Sequence, residues 1–221
     1  MVVGNGLVAN ALRDFENDDS ILVFASGVSN SVNPQQDDFE REKELLLSFS
    51  KSNKRLVYFS TCSIFDFSLK QSAYVIHKIN MEQIVKATFK KFLILRLPTL
   101  IGNTGNPITF FNYFKIQIEQ KQTLNVNEKA IRYLFDAAHL NPILKVLRNY
   151  PNNCINCAFQ NGASVLKIIS TMAEIMNKPQ PNIILKKGNS FDFDNSFFIS
   201  ILKKNNLTFD VTIENILTKY L

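Results

Sequence analysis

Cysteine is scarce in this chain: three residues in 221 are too few for the disulfide framework on which small secreted domains depend. Glycine and proline are sparse as well, seven of each, which excludes a fibrous or linker-rich chain. With 46% apolar and 11% aromatic residues the composition is that of a packed globular protein. No stretch reaches the roughly 18 uninterrupted apolar residues of a membrane helix, and the first residues lack the basic segment, apolar segment and cleavage site of a leader. The expectation is a soluble, cytoplasmic protein that does not engage a membrane. A dense basic block is also missing. Lys and Arg number 25 against 19 Asp and Glu, a net charge of +6, which suits an anionic ligand such as a nucleotide. The basic residues are dispersed through NKR, FKK and LKK, however, so nucleic acid is not an expected partner. Cys154 and Cys157 form a C-x-x-C, but no second ligand pair accompanies them and His139 lies upstream in an unsuitable context, so no metal is expected. The surrounding NCINCAFQN reads instead as a buried strand stopped by Asn-Gly.

What the chain does have begins at once. VVGNGLVANAL, residues 2–12, places a G-x-G-x-x-A turn (Gly4, Gly6, Ala9) directly after a very short strand. Such a turn either cradles a dinucleotide phosphate or marks an ordinary tight strand-to-helix turn. The acidic residue that completes the dinucleotide fingerprint about 20 positions on is missing, and Ser26-Gly27 stand there instead. SILVFASG (20–27) is an apolar run with a glycine stop, as a buried parallel strand requires. DDFEREKELLLSFSK (37–51) follows as an amphipathic helix with acidic residues in its first turn. RLVYFS (55–60), a helix over 74–90 and the strand FLILR (92–96) continue the alternation, which predicts a mostly parallel sheet with helices on both faces and ligands at the carboxyl ends of the strands. Beyond Pro98 the pattern predicts a helix near 107–121, a short strand pair around 123–135, and a helix capped by Asn141 with Pro142 at its first position. A strand at 154–159, a helix at 163–177, a strand at 182–186 and two C-terminal helices complete it. No linker separates the halves. The expectation is one domain over 1–221, with 1–106 mainly a cofactor-binding core and 107–221 mainly a substrate lobe.

YFSTCSIFD (58–66) and YVIHK (74–78) carry the chemistry. Tyr74 and Lys78, four apart, share one helical face, so the ammonium can hold down the phenol pKa. A hydroxyl at the end of the preceding strand could meet Tyr74 across a ligand and bond a carbonyl oxygen.

With these motifs in order, the sequence resembles the extended short-chain dehydrogenase/reductase superfamily, which includes nucleotide-sugar epimerases, dehydratases and 4-keto reductases. VVGNGLVANAL is similar to its phosphate turn, ILVFASGVSNS to its HLAG strand end, YFSTCSIFD to its SSxxVYG strand and YVIHK to its catalytic Y-x-x-x-K. LRLPTLIG looks like the strand after the catalytic helix, IRYLFDAAHL like the segment whose Arg reads a sugar-nucleotide pyrophosphate, and the segment from CINCAFQNG like the following strand and helix. The resemblance implies a Rossmann-like α/β fold and catalytic roles for Thr61, Tyr74 and Lys78. It implies cofactor contacts at Gly4, Asn5, Gly6, Leu7, Val8, Ala25, Ser26, Gly27, Tyr74, Lys78 and Pro98, and substrate contacts at Ser29, Asn30, Thr99 and Arg132.

Where the chain departs from the family the expectation narrows. Dehydratases place Asp-Glu after the catalytic Thr, whereas Cys62-Ser63 stand here, which argues against 4,6-dehydration. Thr61 and Tyr74 are only 13 positions apart, a shortening that resembles reductases of capsular-sugar synthesis. There is no room between Gly6 and ILVFASG for the strand, helix and strand that build the adenosine half of the fold: a helix from Leu7 to Phe15 covers only about 13 Å at 1.5 Å per residue. NAD and NADP are therefore both open. The implied function is an NAD(P)-dependent nucleotide-sugar reductase or epimerase of surface-polysaccharide synthesis, working as a homodimer. The alternative is a trimmed relative that binds nucleotide sugar or a partner protein without catalysis.

Overall fold

The computed structural model describes residues 1–28 and 34–221. The chain runs β1 (Val2–Val3), α1 (Leu7–Ala11), β2 (Ile21–Phe24), α2 (Gln36–Ser48), β3 (Arg55–Thr61), α3 (Ala73–Thr88), β4 (Phe92–Leu97), β5 (Thr99–Ile101), α4 (Phe110–Glu119), β6 (Leu124–Asn127), β7 (Ile131–Arg132), β8 (Leu134–Asp136), α5 (Leu140–Leu147), β9 (Asn153–Asn156), β10 (Ala163–Ser164), α6 (Val165–Ile175), β11 (Ile183–Lys186), α7 (Ser196–Lys204) and α8 (Ile213–Thr218). Five strands form one sheet in the order β1-β2-β3-β4-β9, every pair parallel. This is the shortened Rossmann-like architecture expected from the alternation of strands and helices. The sheet stops at β1, where a fuller fold of this type would continue.

Period-two alternation in the apolar runs splits the sheet between two cores. Leu22, Phe24, Leu56, Tyr58 and Ile94 point to one face, where Leu46 of α2 and Met81 and Val85 of α3 cover them. Val23, Val57, Phe59, Leu93, Leu95 and Ile155 point to the other, against Leu12, the inward stripe of α5 and Phe198 and Leu202 of α7. Because a parallel strand is buried on both faces, these segments read as unbroken apolar runs. A third core joins α4, α6 and α8 with β6 and lies under the second half of the chain.

α3 is fastened to the sheet by more than apolar contact. Arg96 of β4 grips the Glu82 carboxylate in two-pronged fashion, with Nε at 2.8 Å and Nη2 at 2.6 Å, and reaches Asn156 of β9 at 3.3 Å. This is the geometry in which a guanidinium binds a carboxylate most firmly.

The second half departs from the expected pattern at two points. The strands around 123–135 are three, and none pairs with another of the three: β6 pairs in parallel with β11, β7 antiparallel with β10, and β8 in parallel with β5. Asn141 is not a helix cap. Asp136 caps a 3-10 turn over Ala137–His139, accepting the Ala138 N–H at 2.8 Å, and α5 continues directly from that turn at Leu140. Pro142 is still tolerated, because a first-turn residue has no intrahelical use for an N–H. Around β9, Cys154 packs against the α2–α3 core while Cys157 lies in the opposite one, so the two thiols face away from each other. Burial pushes both up, Cys154 to about 11.

Candidate active site

A cleft of about 560 Å³ opens at the carboxyl ends of β2, β3 and β4. Its walls are the turn Asn5 to Val8, the loop Ala25 to Val28, the strand end Phe59 to Thr61, Leu97, Pro98 and Leu100 after β4, Tyr74 and Lys78 of α3, Arg41 of α2, and Thr104, Asn106 and Thr109 before α4.

The two glycines of the first turn do different work. Gly4 has φ +124°, and a Cβ on it would collide with the Ala25 carbonyl, so it is what lets the turn lie against the end of β2. Only glycine adopts that conformation at no steric cost. Gly6 is in ordinary extended backbone at the start of α1, and a Cβ there would meet nothing within 4 Å. Its bareness serves the open cleft rather than the packing.

Thr61 ends β3 with its hydroxyl oxygen accepting the Ser63 N–H at 3.0 Å, and it lines the cleft together with Tyr74. Burial pushes the Tyr74 phenol above its ordinary value, opposed by Lys78 and the nearby Thr61 hydroxyl and reinforced by Glu42. Lys78 thus acts in the expected direction, and burial outweighs it. Lys78, 3% exposed, donates to Glu42 Oε1 at 2.9 Å, to the Tyr58 hydroxyl at 3.1 Å and to the Phe59 carbonyl at 3.4 Å. Its three protons are all engaged, and its charge faces a buried carboxylate.

Arg132 and Thr99 stand apart from the cleft walls. Thr99 alternates with Pro98 and Leu100, which do line the cleft, and its N–H bonds the Tyr133 carbonyl at 3.1 Å. Arg132 lies half-buried on β7 with its guanidinium 5.9 Å from the Phe191 ring. It donates to the Ile131 carbonyl at 2.8 Å, and no ion pair to it occurs among the described residues. Desolvation lowers its pKa, and the Asp66 carboxylate opposes that shift. Ser29 and Asn30 lie outside the described residues. Every other expected cofactor contact except Gly4 lines the cleft.

Glu42, Tyr58 and Arg41 were not anticipated. Glu42 could have been found: it interrupts the inward stripe of Phe39 and Leu46 in α2 and Phe49 just after it, where an apolar residue is due. No group of three or more His, Cys, Asp or Glu side chains among the described residues could hold a metal ion, and no helix among them is long and apolar enough to cross a membrane.

No protein-family model matches the chain, and no curated protein matches it. Solved structures do match in fold. The UDP-glucuronic acid 4-epimerase of Bacillus cereus, in complex with UDP-glucuronic acid and NAD, superposes with a TM-score of 0.70 at 17% identity, over 98% of this chain and 77% of that one. A dTDP-4-dehydrorhamnose reductase of Clostridium acetobutylicum superposes at 0.69 and 16%, over 96% and 84%. The dTDP-glucose 4,6-dehydratase of Bacillus anthracis, in complex with NAD, does so at 0.70 and 12%, over 99% and 77%. The architecture is thus the Rossmann-like one that epimerases, reductases and dehydratases share.

Proposed function

We propose that the chain is an NAD(P)-dependent oxidoreductase or epimerase of the extended short-chain dehydrogenase/reductase type, acting at a carbonyl or hydroxyl carbon of a nucleotide sugar in surface-polysaccharide synthesis in the cytoplasm. One observation carries this reading: Thr61, Tyr74 and Lys78 line the same cleft as the bare glycine turn. The residues present fit a dinucleotide in part. The open backbone at Gly6 suits a pyrophosphate, and Ala25, Ser26 and Gly27 leave room beside it. A bound nicotinamide would supply or accept a hydride. Tyr74 would give a proton to the substrate oxygen or take one from it, and Thr61 would hold that oxygen by a hydrogen bond. Lys78 would meet a ribose hydroxyl by exchanging its longest bond, the one to the Phe59 carbonyl.

Arg132, a half-buried cation with no carboxylate bonded to it, suits the substrate's pyrophosphate. Cys62 and Ser63 disfavour 4,6-dehydration: the buried thiol is held at 3.3 Å to the Arg96 carbonyl, and neither side chain can serve as the acidic pair. The likeness in fold to a dehydratase leaves that exclusion resting on chemistry alone.

A second reading, nucleotide-sugar or protein binding without turnover, is favoured by the sheet ending at β1, which leaves the adenosine side of the cleft without its usual strands. Titration with NADH and NADPH, followed by a screen of 4-keto nucleotide sugars, separates the two. Fluorescence change on cofactor addition and turnover support the enzyme. Sugar-nucleotide binding without either supports the module.

A further inference from the structure

Glu42 is the buried charge that the chemistry above leaves unused. Its carboxylate is 0% exposed and meets four donors: the Val28 N–H at 2.6 Å, the Tyr58 hydroxyl at 2.6 Å, His77 Nε2 at 3.1 Å and Lys78 Nζ at 2.9 Å. Phe39 stacks on His77 at 4.3 Å and closes the cluster from outside. A Cβ on Gly27 would lie 2.7 Å from Lys78 Nζ and 3.2 Å from Glu42 Oε1, so the bare backbone after β2 is what lets the pair close. Burial alone would raise the pKa of this carboxylate, yet Lys78 and the hydrogen bonds bring it to about 2, so it is ionised. Apolar residues of similar volume commonly serve stability as well as a buried ion pair does. A helix that otherwise presents Phe39 and Leu46 inward therefore gains little stability from an acid here.

We propose that Glu42 is a positioning residue of the candidate active site, holding Lys78 Nζ under the cleft floor and offsetting part of its charge beside Tyr74. The inference rests on the reading of Tyr74 as the acid or base. The groups that face Tyr74 are Lys78 on its own helix, Glu42 from α2, and Thr61 and Tyr58 from β3. Burial, helped by Glu42, outweighs the ammonium, so Tyr74 rests as a phenol. The site is then set for carbonyl reduction: the Tyr74 O–H bond breaks, its proton bonds the substrate oxygen, a reduced nicotinamide is the hydride source, and the phenolate regains its proton from solvent.

Ultraviolet difference titration, wild type against Tyr74→Phe, isolates the phenol without any cofactor. Tyr74 should ionise above the ordinary phenol value of about 10. Glu42→Gln should move that ionisation down by about one unit, tenfold in the acid dissociation constant, because the ammonium is then uncompensated. Glu42→Asp should restore most of it. A Glu42→Gln titration that coincides with wild type overturns the proposal. Should Glu42→Gln fail to fold, Gly27→Ala decides, because its Cβ would crowd the Lys78–Glu42 pair apart: its Tyr74 titration should also move down, and coincidence with wild type overturns the proposal. NADH titration of the wild-type protein addresses the functional reading separately: absence of binding with the downward shift in Glu42→Gln removes the enzyme and keeps the clamp, whereas binding without that shift does the reverse.

Discussion

At the scale of single residues, the site is a set of hydrogen-bond commitments. Thr61 accepts from the Ser63 N–H and so must donate elsewhere; Lys78 has no proton uncommitted. Positioned proton transfer is typically worth about 10²–10⁴-fold. Tyr74→Phe should therefore lose about that factor in kcat while leaving the NADH dissociation constant nearly unchanged, measured by steady-state kinetics beside fluorescence titration. Normal turnover in that variant would remove Tyr74 from the mechanism. Arg132 is separated from the cleft walls, and its proposed partner is the substrate rather than the cofactor. Arg132→Ala should raise KM for a nucleotide sugar well beyond any change in cofactor affinity, and equal effects on both would count against the role. The Tyr74–Lys78 spacing was legible because a helix fixes which residues share a face. Glu42 was not, since an acid in EREKE reads as solvated until the stripe it interrupts is traced.

At the scale of elements, the first turn separates structure from binding. Gly4→Ala forces a side chain into a left-handed conformation and into the Ala25 carbonyl, and should destabilise the fold by about 1–3 kcal/mol in denaturant unfolding. Gly6→Val projects into open space and should leave stability nearly intact while weakening cofactor binding. The reverse pattern would show that Gly6 is the packing residue and Gly4 the open one. β2, β3 and β4 were legible because burial on both faces makes a strand one unbroken apolar run. The short strands from 124 to 136 were not, because their partners are β11, β10 and β5, and no local pattern announces a distant partner. Asn141-Pro142 misled for a related reason: the cap it suggested was already supplied five residues earlier by Asp136.

At the scale of the whole molecule, α2 and α3 lie side by side over one face of the sheet, and their outer surface carries Ile76 at 42% and Ile79 at 39% exposure. Met81, Val85 and Phe89, by contrast, are spent on the core. We propose that the exposed pair marks a four-helix contact with a second copy. Sedimentation at micromolar concentration should show a species of twice 25.2 kDa, and Ile76→Glu should return it to the monomer. A wild-type protein that sediments only as a monomer would remove the idea.

The place of β9 has a kinetic side. It completes the sheet beside β4, yet between the two strands the chain must first lay down β5 to β8, α4 and α5. Closing so long a loop is an entropic cost met before any β4–β9 hydrogen bond forms, and parallel pairings of high sequence separation slow folding. The strand that closes the sheet beside β4 thus comes from the second half of the chain, and its pairing should be among the slower steps of refolding, which pulse-labelled hydrogen exchange at β9 would read.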